Sequence, residues 1–172
     1  MHGRPLIVGI IVMIALMQSL VPCERASAQA PAQITTRQLQ MMYTEFLAQQ
    51  GYRPQIDEDG DVIFKFEGKT LFMAVQAEDP QYFTVVLPKA WSVQDSKERT
   101  QVLIAANYAN ATSKVAKVFV IQDEVWVAVE LFLDDPMDFR KLFPRSISAI
   151  QTTVNQFVAK MRQLQEATPT AP

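Results

Sequence analysis

Apolar and polar residues alternate along several short stretches of the chain, as is typical of strands with one buried face. Acidic residues, glycine or proline separate these stretches and form turns between them. The pattern predicts strands at residues 52–56, 62–66, 71–75, 82–87, 115–121 and 125–133. Pro88 is expected to end the fourth strand. The short turns within the first group favour an antiparallel arrangement.

Two other stretches repeat apolar or small residues with the spacing of a helix. The first begins at Thr35 or Thr36, where Thr35 and Gln38 have the spacing of a capping box, and it ends at Gly51. The second covers roughly residues 92–112 and carries a face of small residues.

The last helical stretch has the clearest start and the longest apolar face. Asp135 and Pro136 suit the first turn, and apolar residues recur at helical spacing over residues 143–164. Pro144 predicts a kink or a break near the beginning. Such a face also occurs in coiled coils, but a single amphipathic helix is expected to pack on its own sheet.

The elements therefore run in the order α-βββ(β)-α-ββ-α. This order predicts one α+β domain with an antiparallel sheet over residues 35–165. Residues 29–34 are expected to form a flexible tether before it. Residues 166–172, with two prolines, are expected to form a disordered tail.

The first 28 residues have the three-part organisation of a secretory signal peptide. A short basic start is followed by an almost entirely apolar run at residues 6–20, and then by the small residues Ala26, Ser27 and Ala28. The apolar run is shorter than the roughly 20 residues that a membrane-spanning helix needs. We therefore expect cleavage after Ala28 and a periplasmic or secreted protein, with an uncleaved anchor as the alternative.

Cys23 offers a second route to the membrane. It follows Leu20, Val21 and Pro22, which partly resemble the sequence that directs lipid attachment in bacterial lipoproteins. That sequence requires a small residue directly before the cysteine, where this chain has a proline. A lipid anchor at Cys23 is therefore the minor alternative, and otherwise Cys23 is removed with the leader.

The composition excludes several kinds of chemistry. The only histidine and the only cysteine are His2 and Cys23, and both lie in the predicted leader. The domain therefore lacks the usual general base near neutral pH, a thiolate nucleophile, and the nitrogen and sulfur ligands of zinc, copper and haem. The chain has 16 basic and 18 acidic residues and no basic run. We predict no catalytic residues, no metal, no cofactor and no nucleic-acid partner.

An acidic turn is the remaining candidate for metal binding. Asp57, Asp59 and Asp61 alternate as in a calcium loop. Val62, however, stands where the loop needs glycine, and Gly68 stands where it needs a bidentate glutamate. The segment is better explained as a hairpin turn.

Five segments carry a resemblance to a known family. They are a helix end at residues 46–52, an acidic turn and strand at 56–68, the sequence NYAN at 107–110, KVFV at 117–120, and the strand at 125–133. In this order they resemble the YbjN-domain family, whose fold is similar to that of the class I type III secretion chaperones. The resemblance spans most of residues 36–164. It implies a chaperone-like fold and a non-enzymatic protein, and it supplies no catalytic motif.

Four aromatic residues depart from the clean alternation of a sheet that is covered on one face. Phe72, Tyr82, Trp126 and Phe132 are expected on the face opposite the main apolar residues. Cover by the third helix is the simplest interpretation. A second copy of the chain, forming a homodimer, and a bound partner segment are the alternatives.

Asn107 and Asn110 are further candidates for the partner-binding surface. Both lie near the end of the second predicted helix. The simplest interpretation is that they cap this helix, and contact with a partner is the alternative.

These observations favour an exported, non-enzymatic protein-binding module that holds an extended protein segment in a chaperone-like way. A structural or regulatory accessory subunit of a cell-envelope complex is the second hypothesis. A carboxylate-based enzyme ranks third, because two acids would have to converge in one pocket. The expected partner is a protein, a peptide or a second copy of the chain, and no integral membrane segment is expected after cleavage.

Overall fold

Six strands form one antiparallel sheet in the computed structural model, which describes residues 34–167. In chain order the strands are β1 (Gln55–Ile56), β2 (Val62–Phe66), β3 (Lys69–Met73), β4 (Tyr82–Ser92), β5 (Ala116–Ile121) and β6 (Glu124–Phe132). The helices are α1 (Thr36–Gln49), α2 (Ser96–Thr112) and α3 (Phe139–Glu166), with a 3-10 turn at Pro136–Asp138 before α3. The predicted α+β class and order of elements are therefore confirmed.

The strands lie side by side in the order β1-β2-β3-β4-β6-β5. Consecutive strands pair from β1 to β4. The chain then leaves the sheet through α2, forms β5 at the outer edge, and returns as β6 between β5 and β4. This placement makes β5 an edge strand.

The start of α1 follows directly from its sequence. The Thr35 hydroxyl accepts a hydrogen bond from the Gln38 backbone N–H at 3.3 Å, and the Gln38 side chain accepts one from the Thr35 N–H at 2.8 Å. This is the capping box that the sequence predicts. After the helix, Gly51 has φ +88°, which glycine adopts without strain.

β4 continues past Pro88, so the predicted end of this strand at residue 87 is wrong. The register between β4 and β6 shifts between Leu87 and Trp91, and Lys89 has φ +53°. A proline lacks the N–H that a ladder requires, but a bulge removes that requirement locally. Pairing resumes at Trp91, whose ring packs against Phe157 of α3 at 6.0 Å between centroids.

Pro144 lies inside α3 and does not divide it, since the helix is continuous from Phe139 to Glu166. A proline in the second turn removes only one backbone hydrogen bond, and a long amphipathic helix compensates for that through packing. The Asp135 carboxylate accepts from the Met137 N–H at 2.8 Å. The predicted start signal therefore caps the 3-10 turn, and α3 follows that turn.

The core lies between one face of the sheet and all three helices. Tyr43 of α1, Phe83 of β4 and Phe139 of α3 are fully buried, and Tyr43 meets the two phenylalanines edge to face at 6.3 and 4.9 Å. Burial raises the pKa of the Tyr43 hydroxyl well above its usual value. Within residues 34–167, no helix is long and apolar enough to cross a membrane.

The predicted ends of the chain fall largely outside the described residues. These are the leader at residues 1–28, residues 29–33 of the tether and residues 168–172 of the tail. Ile34, assigned to the tether, packs against the core. Helix α3 extends to Glu166, the first residue of the predicted tail.

Candidate functional site

One face of the sheet carries no helix among residues 34–167, and the four predicted aromatic residues lie on it. Successive residues of a strand point to opposite faces. Met73 and Phe83 are buried in the core, so their neighbours Phe72 and Tyr82 point the other way. The same alternation along β6 places Trp126 and Phe132 on the helix-free face. Helix α3 packs on the opposite face and does not cover them.

The aromatic residues form two groups, one that reaches from β3 across β4 to β6 and β5, and one on the neighbouring strands β4 and β6. Phe72 meets Trp126 at 6.1 Å between ring centroids, and Phe119 of β5 lies on the other side of Trp126 at 6.4 Å. Tyr82 and Phe132 are directly paired and lie 5.4 Å apart. We call these five residues the aromatic face. The Phe132 side chain is the most exposed of them, with 83 % of its surface accessible.

Phe119 is a residue that the sequence reasoning missed. It pairs with Trp126 in the β5–β6 hairpin, whose turn consists of Gln122 and Asp123. A two-residue turn sets the register of both strands, and the register places these two rings on one face. The tight turn was therefore the signal that could have identified Phe119.

A polar cluster separates the two aromatic groups. The Lys117 ammonium lies 2.6 Å from the Glu130 carboxylate. The Tyr82 hydroxyl donates a second hydrogen bond to Glu130. Partial burial alone would raise the pKa of Glu130, but these two hydrogen bonds and the charge of Lys117 outweigh it and lower that pKa.

A concave groove lies beside α3. It encloses about 690 Å³ between residues 112–115 at the end of α2 and before β5, the end of β6 and the first half of α3. Its apolar lining comes from Val115, Leu131, Phe132, Leu142, Pro144 and Ala149. We call it the α3 groove. Phe132 belongs to both the groove and the aromatic face, so the two surfaces are continuous.

The charges at the α3 groove are all positive. Lys114 and Arg145 line it, and both are exposed. No carboxylate is among its lining residues, although acidic residues outnumber basic ones in the whole chain. The remaining lining is largely hydroxyl and amide side chains, which can donate and accept hydrogen bonds. The groove therefore suits an apolar ligand that carries negative charge beside its apolar groups.

The two candidate asparagines have different positions. Asn107 lies exposed on α2. The Asn110 carboxamide forms two hydrogen bonds with the backbone of Val118 in β5. The C-cap of α2 is Ser113, so Asn110 joins the helix to the sheet and does not cap the helix.

The acidic turn uses its carboxylates internally. The Asp57 side chain accepts from the backbone N–H groups of Asp59 and Asp61 at 3.1 and 2.9 Å. The Asp61 side chain accepts from the Val75 N–H at 2.8 Å. Burial raises the pKa of Asp61, the Val75 hydrogen bond opposes this, and the charges of Asp57 and Asp59 add to it. These contacts explain the acidic residues as a hairpin turn.

Residues 34–167 therefore form an antiparallel sheet with helices on one side, an aromatic face without a helix on the other, and an apolar groove beside the longest helix. Comparison with protein families matches residues 37–162 to TY-Chap1, described as "T3SS (YopN, CesT) and YbjN peptide-binding chaperone 1". The chain belongs to this family, which confirms the resemblance to the YbjN-domain proteins. No curated protein matches the chain.

Solved structures are similar to this chain at low sequence identity, and the one from E. coli supports the fold. YbjN from E. coli superposes with a TM-score of 0.54 and 13 % identity, over 70 % of this chain and 90 % of YbjN. An uncharacterised protein from Methanothermobacter thermautotrophicus has a TM-score of 0.47 and 15 % identity, over 74 % of this chain and 97 % of that one. The ExsC–ExsE complex has a TM-score of 0.47 and 12 % identity, over 80 % of this chain and 98 % of the matched one.

Proposed function

We propose that this protein is exported, performs no catalysis, and holds an extended segment of a partner protein in the α3 groove. Membership of a peptide-binding chaperone family supports the general activity. The observation that supports this site is Phe132, an 83 % exposed aromatic side chain beside an apolar groove. The leader-like sequence at residues 1–28 supports export.

Phe132 is suited to anchor a partner because its ring is accessible from two sides. It packs against Tyr82 on the aromatic face and also lines the groove. Covering a phenylalanine side chain contributes roughly 1.5–3 kcal/mol. Exposed aromatic residues of this kind are typical energetic centres of protein interfaces.

The dimensions of the groove fit an extended chain. Residues 142–156 of α3 line it, which corresponds to roughly 21 Å of helix at 1.5 Å per residue. About six residues of an extended peptide span that length. The apolar side chains of such a segment would contact Leu131, Leu142 and Ala149, and acidic side chains beside them would face Lys114 and Arg145.

Peptide binding by a Phe132 variant tests this proposal. Fluorescence anisotropy would measure the affinity of the purified protein for a labelled peptide of alternating leucine and glutamate. Phe132→Ala should weaken binding by about tenfold or more, because it removes an anchor worth at least about 1.4 kcal/mol.

The matched control is Ile56→Ala. Ile56 is also an exposed apolar residue, at 51 %, but it lies in β1 at the opposite edge of the sheet. Its loss should leave the affinity unchanged. A peptide of alternating leucine and lysine should bind more weakly than the acidic peptide. Equal affinity of the wild-type protein and Phe132→Ala would contradict the proposal.

A further inference from the structure

β5 is an edge strand, and its mostly apolar sequence favours pairing with another strand. Its sequence is AKVFVI, and edge strands with unpaired backbone groups and apolar side chains readily pair with another chain. The backbone groups of alternate residues point away from β6. An extended partner or a second copy of this chain could therefore add to the sheet here if those groups were free.

The Asn110 side chain occupies the middle of that edge. Its Oδ1 accepts a hydrogen bond from the Val118 N–H at 2.7 Å, and its Nδ2 donates to the Val118 carbonyl at 3.0 Å. Both backbone groups of one residue are thus satisfied by one carboxamide. This reproduces the pair of hydrogen bonds that a residue of a neighbouring strand would form.

Helix α2 also contacts β5 at both of its ends. The Ser113 hydroxyl accepts from the Ala116 N–H at 3.1 Å at the start of the strand. Arg99, one helix length earlier, donates to the Gln122 carbonyl at 2.7 Å and pairs with Asp123 in the turn after the strand. Helix α2 therefore runs antiparallel to β5 along its outer edge.

The opposite edge of the sheet is protected from strand pairing in a different way. β1 contains only two residues, and Pro54 directly precedes it. A short strand after a proline offers little backbone for pairing. Within residues 34–167, β5 presents a six-residue edge, and the Asn110 side chain takes the place of a strand there.

We propose that Asn110 blocks strand addition at the edge of β5 and thereby prevents a second copy of this chain from pairing there through its own β5. An antiparallel pair of identical strands is self-complementary, so the unblocked edge would match itself. This role is independent of peptide binding in the α3 groove. It also implies that partners are recognised by side chains of the groove and the aromatic face, since main-chain pairing at β5 is closed.

Self-association of Asn110→Ala tests the inference, with Asn107→Ala as the control on the same helix. Light scattering coupled to size-exclusion chromatography would compare both variants with the wild-type protein over a range of concentrations. Asn110→Ala should form an assembly of about twice the wild-type mass at protein concentrations where the wild-type protein does not. Asn107→Ala should behave like the wild-type protein, because Asn107 lies exposed on α2 and Asn110 makes the contact with Val118.

Amide hydrogen exchange of Val118 provides a second measurement. In a dilute, monomer-sized fraction of Asn110→Ala, the Val118 N–H should exchange about tenfold faster than in the wild-type protein. Asn110→Ser, which can satisfy only one of the two backbone groups, replaces Asn110→Ala if the latter does not fold. A folded variant with the wild-type mass at every concentration would overturn the inference, as would unchanged exchange at Val118.

Discussion

At the scale of single residues, the helix-free face combines apolar contact with one ionic cluster. Phe72, Phe119 and Trp126 cover one another, so each loses part of its exposed surface. Among the residues that the structure describes, Phe132 has Tyr82 as its one aromatic neighbour and stays exposed. A partner would therefore gain more from covering Phe132 than from covering the other rings.

Glu130→Gln should remove a pH-dependent contribution to folding stability. The ordinary pKa of a glutamate is 4.5, and folding lowers the pKa of Glu130 below this value. Burial alone would raise it, but the hydrogen bonds that Lys117 and Tyr82 donate to the carboxylate have the larger effect. Such a group stabilises the fold above its unfolded pKa, and the contribution is lost as the pH falls through the folded pKa. The difference in the free energy of unfolding between wild type and variant should be constant near pH 7 and shrink below pH 4.5.

Urea denaturation at a series of pH values measures this difference. Lys117→Met should reduce the same pH dependence, because it removes the donor that lies 2.6 Å from Glu130. A difference that does not change with pH would show that the ion pair has no net effect, as is common for exposed pairs.

At the scale of elements, tight turns set the register of the hairpins. β2 and β3 are joined by Glu67 and Gly68, which have φ values of +48° and +76°. A two-residue turn with positive φ matches the twist of antiparallel strands. The register places Phe72 opposite Ile63 on the helix-free face. The geometry of a two-residue turn thus contributes directly to the aromatic face.

Gly68→Ala should destabilise the protein through backbone strain alone. A Cβ atom at this position would meet nothing within 4 Å, so no clash contributes. A left-handed conformation costs a residue with a side chain about 1–2 kcal/mol. Gly68→Asn should cost less, since asparagine tolerates this conformation. Denaturant unfolding would compare the two, and equal stability of Gly68→Ala and the wild-type protein would contradict the expectation.

At the scale of the whole molecule, all three helices pack on one face of the sheet. The other face and the groove beside α3 are then left for partners. A binding module should accept several apolar-acidic peptides, whereas an accessory subunit with one fixed partner should accept few. Anisotropy titrations with apolar-acidic peptides of several different sequences would distinguish these two functions.

Export should be visible in the mass of the protein recovered from cells that express the full chain. We expect the protein in the periplasmic or secreted fraction. Its mass should be that of a chain beginning at Gln29, because cleavage after Ala28 matches the A-x-A pattern. Cys23→Ser should leave both fraction and mass unchanged. Loss of membrane association in Cys23→Ser would instead indicate a lipid anchor, and an uncleaved mass would contradict cleavage.

Local pattern alone determined the elements of this fold. Alternation placed the strands, the capping box of Thr35 and Gln38 placed the start of α1, and the order of elements indicated the family. These signals involve residues close together in the chain, whose spacing reflects the period of a strand or a helix. The resemblance to the YbjN-domain family could therefore be stated from the sequence, and binding of a protein segment is what that resemblance implies.

Tertiary structure decided which surfaces are free. Sequence pattern could not show that α3 leaves Phe132 exposed, that Asn110 meets Val118, or that β4 continues beyond Pro88. Each depends on how separate elements pack, and the α3 groove combines residues from the end of α2, the segment 113–115, β6 and α3. Local periodicity assigns a residue to a face, but only packing between elements decides whether that face is covered.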